Sequence, residues 1–98
     1  MCGATKGGLS VEGIDVTKEA VVQGIVLHAG EAVGGAYVRL LDSSGEFTAE
    51  VPTSATGHFR FFAAPGSWTL RVLAPGAATV DQAVVAERGV VAEVEVTL

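Results

Sequence analysis

A thiol, two imidazoles and a few guanidinium groups are the side chains of this protein with chemistry to offer. Cys2 is the single cysteine. Removal of Met1 ahead of a small residue leaves Cys2 first in the chain, with amine and thiol on adjacent carbons. The neighbouring α-ammonium favours the thiolate, which is the nucleophilic form. On a glycine-rich tail such a group suits the acceptance of a persulfide sulfur from another enzyme, so Cys2 is the candidate reactive residue. The plainer alternative is a free cysteine on a tail with no role. His28 and His58 have no C-x-x-C or H-x-x-x-H spacing around them, and no metal site is expected. No G-x-S-x-G, no phosphate loop and no glycine-rich turn between a strand and a helix is present. The sequence therefore offers no catalytic constellation and no cofactor site, and an enzyme is the less favoured reading.

The arginines carry more weight than their number suggests, because the protein is otherwise acidic. Arg39, Arg60 and Arg71 all fall at outward positions of alternating strands. A simple hairpin through Ala64–Ser67 sets Arg60 opposite Arg71, and directly opposed like charges are unfavourable by roughly 0.2–1 kcal/mol. Such a pair calls for carboxylate neighbours or a bound anion. If the two strands belong to different sheets, Arg39 and Arg71 share one sheet instead. Solubilising charge paired with Glu50, Glu93 or Glu95 is the plainer account. Tyr37, Leu41 and Phe62 also point outward, and apolar residues flanking arginines are what a protein interface presents. Tyr37, Arg39, Arg60, Phe62 and Arg71 are accordingly the candidate binding residues, with a protein as the expected partner and homo-oligomerisation open.

Bulk composition narrows that partner. A net charge of -5 opposes both nucleic acid and anionic membrane surfaces. No apolar run approaches the roughly 20 residues that span a bilayer. The opening M-C-G-A-T-K-G-G-L-S lacks the apolar core of a secretory signal. A lone cysteine fits a reducing cytoplasm, which is the expected location.

The elements that position these side chains are short strands. Residues 1–19 read as a flexible glycine-rich arm, and residues 20–98 as one domain. A first strand over 20–27 is apolar on both faces, as a central or covered strand is. A-Y-V-R-L-L (36–41) turns Ala36, Val38 and Leu40 inward. E-F-T-A-E-V-P (46–52) sets Phe47, Ala49 and Val51 on one face, ending at Pro52. The stretch S-A-T-G-H-F-R-F-F-A-A-P-G-S-W-T-L-R-V-L-A (54–74) holds two strands. Phe59 and Phe61 share one face, and Trp68, Leu70 and Val72 share another. Residues 78–86 form a weaker strand, ambiguous around Asp81 and Gln82, and the last strand turns Ala92, Val94, Val96 and Leu98 inward. Hydrophobic content of 49% with 17% charge is ample for one core. Seven short strands with turn signals every 8–12 residues predict an all-β, antiparallel sandwich. Its expected core includes Val38, Phe59, Phe61, Trp68, Leu70 and Val94.

The runs V-Q-G-I-V, G-G-A-Y-V-R-L and T-G-H-F-R-F…P-G-S-W-T-L-R-V…P-G resemble the carboxypeptidase-regulatory-like domain over residues 20–98. That group sits with the transthyretin-like (prealbumin-like) and Cna-B-like sandwiches, and the resemblance implies a Greek-key topology. Trp68 stands where the group usually has tyrosine, and Thr56 where it has aspartate. No lysine lies in an apolar strand to form the isopeptide bond of Cna-B-like domains. The opening M-C-G, with G-G-A-Y-V-R-L-L-D-S-S-G-E-F-T-A-E-V and F-R-F-F-A-A-P-G-S-W-T-L-R, is similar to a small actinobacterial family labelled SseC. Its members are commonly encoded beside thiosulfate sulfurtransferases (rhodaneses). The resemblance implies an accessory protein of sulfur metabolism that binds such an enzyme and accepts sulfane sulfur on Cys2. The other reading is a structural or interaction sandwich without sulfur chemistry.

Overall fold

The computed structural model describes residues 20–98; the readings placed on residues 1–19, Cys2 among them, lie outside that range. Eight strands follow one another: β1 (Val21–His28), β2 (Glu31–Ala32), β3 (Tyr37–Leu41), β4 (Phe47–Pro52), β5 (His58–Phe62), β6 (Gly66–Leu73), β7 (Val80–Ala86) and β8 (Val91–Thr97). They form an all-β sandwich of two four-stranded sheets, and no helix occurs among the described residues. Seven of the strands are those expected from alternation. The eighth, β2, is two residues long and closes a hairpin on β1 through Ala29 and Gly30. Both turn residues have positive φ, 53° and 83°, the backbone of a two-residue type I′ turn.

Sheet A is built around β1. One edge of β1 pairs antiparallel with β5, and β2 continues that edge: Val26 N–H donates to Gly57 and Val26 C=O accepts from Val33. The other edge pairs with β8, and this pair is parallel, Val21 meeting Val91 and Leu27 meeting Thr97. Every other strand pair among the described residues is antiparallel. Alternation reports which face a side chain takes, not the direction of the neighbouring strand, so this exception was invisible to it. Gly24 makes the close pairing possible. A Cβ there would fall 1.8 Å from the carbonyl oxygen of Val94, a distance no side chain tolerates.

Sheet B runs β4-β3-β6-β7. The facing sides of the two sheets bury Val22, Val26, Val38, Leu40, Phe59, Phe61, Leu70, Val72, Ala86 and Val96, among others. The rings of Phe59 and Phe61 lie 6.3 Å apart, tilted by 56°, within the range of favourable aromatic pairs. Trp68 and Val94 pack against this cluster but are only half-buried. The indole N–H of Trp68 donates to the Ala64 carbonyl at 2.8 Å, which holds the ring at the margin of the core.

One residue sits opposite to its expected face. Between Leu40 and Leu41 the β3–β4 register shifts, so that Leu40 faces Ala49 but Leu41 faces Phe47. Thr48 is the extra residue of this bulge. A one-residue slip exchanges faces, and Phe47 lands on the outer surface, 60% exposed.

Candidate functional site

The outer face of sheet B is read most clearly row by row across its four strands. In the central row the register sets Glu50 beside Arg39, Arg39 beside Arg71, and Arg71 beside Asp81. The charges run minus, plus, plus, minus. Opposed arginines repel, and here each is drawn outward by its own carboxylate. Arg39 Nε donates to Glu50 Oε2 at 3.1 Å. Arg71 holds Asp81 with two bonds, Nε to Oδ1 at 2.9 Å and Nη2 to Oδ2 at 3.0 Å. That hydrogen-bonded pairing, reinforced by the guanidinium charge, keeps the Asp81 carboxyl below the usual carboxylate range. The sharing of one sheet by Arg39 and Arg71, one of two arrangements compatible with the sequence, is the one adopted.

Aromatic groups flank this row. The guanidinium carbon of Arg39 stands 6.0 Å from the centroid of the Phe47 ring, within cation–π reach. Tyr37, paired with Pro52 and Leu73 one row further, is 51% exposed. Val85 on β7 is exposed as well. Leu41 shares the outward register of Tyr37 and Arg39 yet is buried. Phe47 and Asp81 were missing from the candidates for distinct reasons. Nothing in F-T-A-E-V-P signals the bulge that re-aims Phe47. Asp81 became readable only once Val80, Gln82 and Val84 were found in register with Val72, Leu70 and Trp68.

Arg60 and Phe62 occupy a different surface, the outer face of sheet A. There Arg60 pairs with Gln23 and Gln23 with Glu93. Arg60 Nε donates to Gln23 Oε1 at 3.0 Å, and Gln23 Nε2 donates to Glu93 Oε2 at 2.9 Å. The five candidate binding residues therefore do not form one site. Tyr37, Arg39 and Arg71 lie together, and Arg60 and Phe62 lie on the other side of the sandwich.

The imidazoles stand at strand ends, His28 closing β1 and His58 opening β5. His58 Nδ1 lies 3.0 Å from Thr56 Oγ1, which lies 3.1 Å from Ser54 Oγ. Ser54 Oγ also accepts the His58 backbone N–H, so the chain of hydroxyls closes the turn that leads into β5. No cluster of three or more metal-binding side chains occurs among the described residues. An open hollow of about 320 Å³ lies between the edges of β4 and β5, lined by Val51, Thr53, Ser54, His58, Phe59 and Arg60 among others.

Solved structures of similar fold are diverse. The major pilin subunit BcpA of Bacillus cereus superposes with a TM-score of 0.70 at 21% identity, over 82% of this chain; this chain spans 28% of the pilin's length. A dioxygenase domain from Streptomyces sp. SirexAA-E gives 0.64 at 12% identity, covering 87% of this chain and 82% of that one. A DUF3823 family protein of Parabacteroides merdae gives 0.60 at 16%, covering 83% and 46%. At these identities the likeness is one of fold. Sequence relatives are mycobacterial. "Uncharacterized protein Rv0814c" of Mycobacterium tuberculosis (strain ATCC 25618 / H37Rv) is 64% identical over 75 residues, 74% of this chain and 75% of the relative. A protein of Mycolicibacterium smegmatis is 66% identical over 62 residues, 62% and 69% of the two chains. A family model described as "Protein of unknown function (DUF1416)" matches residues 2–98, and this chain belongs to that family.

Proposed function

We propose that this protein is a non-enzymatic interaction module that presents the outer face of sheet B to a protein partner. The observation that carries it is the row Glu50–Arg39–Arg71–Asp81 flanked by exposed Tyr37 and Phe47. Tyr, Phe and Arg are enriched where protein interfaces bind tightly. Each arginine already has its carboxylate, so covering the row strands no uncompensated charge.

The partner class comes from the resemblance to the SseC-type proteins: a rhodanese-type thiosulfate sulfurtransferase. A free thiol persists in a reducing cytoplasm, so the proposed location is cytoplasmic. In the sulfur step the Cys2 thiolate attacks the outer sulfur of the donor's persulfide. A new S–S bond forms on Cys2, the donor's S–S bond breaks, and its electron pair leaves with the donor thiolate, with no net oxidation. The second reading is an interaction or structural module without sulfur chemistry. It is favoured by the make-up of the face itself, whose candidate residues Tyr37, Arg39 and Arg71 include no nucleophile.

Calorimetric titration of the full chain with a purified thiosulfate sulfurtransferase, followed by mass spectrometry of the N-terminal peptide after adding thiosulfate, separates the two. Saturable binding is expected, weakened about tenfold or more by combined Tyr37→Ala and Phe47→Ala, a loss of about 1.4 kcal/mol. A mass gain of one sulfur atom is expected in the native chain and not in Cys2→Ser. Binding without the mass gain favours the second reading, and no binding removes this class of partner.

A further inference from the structure

The outermost strand of a sheet carries backbone groups without a ladder partner, and proteins guard such edges against pairing with other chains. Here the register shows which groups those are. Thr53 N–H donates to the Ala36 carbonyl, so the even-numbered residues of β3 bond to β4 and the odd-numbered ones to β6. Carried across β6, the same alternation turns the N–H and C=O of Asp81, Ala83 and Val85 on β7 to the open side. On β8, Leu98 N–H donates to the Leu27 carbonyl, which leaves Val91, Glu93, Glu95 and Thr97 open. On β5, Val26 N–H donates to Gly57, which turns His58, Arg60 and Phe62 outward. Most of these edges are guarded. β4 has the bulge at Thr48 and ends on Pro52, which has no N–H. β5 offers little length, because the N–H and C=O of His58 are both bonded to Ser54. β8 carries Glu93 and Glu95, both exposed.

β7 has none of these guards, and no strand among the described residues pairs with its open side. Gln82 stands in register with buried Leu70 yet is exposed, so the strand projects there beyond the cover of sheet A. Asp81, its one charge, is already held by Arg71, and Ala83 and Val85 are exposed apolar groups. The Gln82 side chain donates to the Ala83 carbonyl at 3.1 Å, and that oxygen keeps a second lone pair. We propose that β7 pairs antiparallel with β7 of a second copy of this chain, about a two-fold axis at Ala83. In that register all 7 residues of the strand overlap. Ala83 meets the partner's Ala83, and Asp81 meets the partner's Val85. These are the residues whose backbone groups point outward, so each exchanges both hydrogen bonds with its counterpart. No like charges oppose one another. The equivalent pairing of β8 with itself sets Glu93 against the partner's Glu95, which is unfavourable. The β7 contact is isologous and closes on itself. It joins two four-stranded sheets into one and brings both outer faces of sheet B to the same side, with their charged rows uncovered.

Sedimentation velocity of the full chain, with reductant present to exclude a disulfide through Cys2, tests this. A monomer–dimer equilibrium is expected. Ala83→Lys sets two lysines against each other across the axis and should weaken association about tenfold or more, as should Ala83→Glu. An equimolar mixture of the two variants should associate about tenfold or more tightly than either alone, because lysine then faces glutamate. A chain that stays monomeric at about 1 mM overturns the proposal. A dimer that both variants leave unchanged also overturns it, as does a mixture no tighter than its components, since the contact or its register then lies elsewhere.

Discussion

Thr53 is the one polar residue among the described residues that is buried, and it has a specific task. Its hydroxyl donates to the Val33 carbonyl at 2.8 Å and accepts the Ala36 N–H at 3.0 Å. One atom thus ties the loop before β3 to the end of β4. Thr53→Val keeps the shape and removes both bonds, leaving a buried N–H without an acceptor. A loss of about 1–3 kcal/mol is expected, read as a lower denaturant midpoint at unchanged slope. A loss below about 0.5 kcal/mol would mean that water takes over the hydroxyl's role. The Arg71–Asp81 pair makes a second prediction at this scale. Its folded-state carboxyl pKa is depressed, so its contribution is present above the ordinary aspartate value and is lost as pH falls through the folded one. Carboxyl-carbon titration should place the Asp81 midpoint below the usual range, and Arg71→Gln should return it upward. Arg39 and Arg71 were legible as outward residues because period-two alternation is local. Glu50, the partner of Arg39, was among the carboxylates the sequence offered, but Asp81, the partner of Arg71, was not, because pairing across strands is set by a register that no single strand records.

At the scale of elements, the β1–β2 hairpin contains a residue poorly suited to its backbone. Ala29 holds φ at 53°, a conformation that costs an ordinary L-residue roughly 1–2 kcal/mol. Asparagine followed by glycine is the preferred pair for this turn, and Gly30 is already in place. Ala29→Asn should therefore stabilise by about 1 kcal/mol, raising Tm by about 4–8 °C in a domain of this size. An unchanged Tm would show that the turn frays in solution. The same hairpin explains why β2 escaped notice: two residues cannot display a period. Phe47 failed for the opposite reason. Its strand alternates without a flaw, yet the bulge at Thr48 moves it to the surface, and the approach of the Arg39 guanidinium to its ring follows from that slip. Alternation works where the ladder is continuous, as in β5 and β6, and misplaces residues where it is interrupted.

For the whole molecule, the two sheets divide the labour. Their inner faces make one core of aliphatic and phenyl groups, and their outer faces differ in character. Sheet B carries a balanced row of charge between exposed rings, and sheet A carries the buried Val21 and the shielded Arg60 Nη2. The side-by-side placement of β1 and β8 has a kinetic consequence. Gln23 and Glu93, which touch across that pair, are 70 positions apart, so sheet A cannot close until nearly the whole domain has been synthesised. Until then the central strand, apolar on both faces, waits with one edge unpaired. Chains dominated by such distant pairings fold in milliseconds to seconds, and refolding by stopped-flow fluorescence of Trp68 should fall in that range, not in microseconds. A nascent chain halted before β8 would expose the Val21–Leu27 edge to any other strand that reaches it, which makes the interval before the last strand emerges the one in which this protein most needs a chaperone.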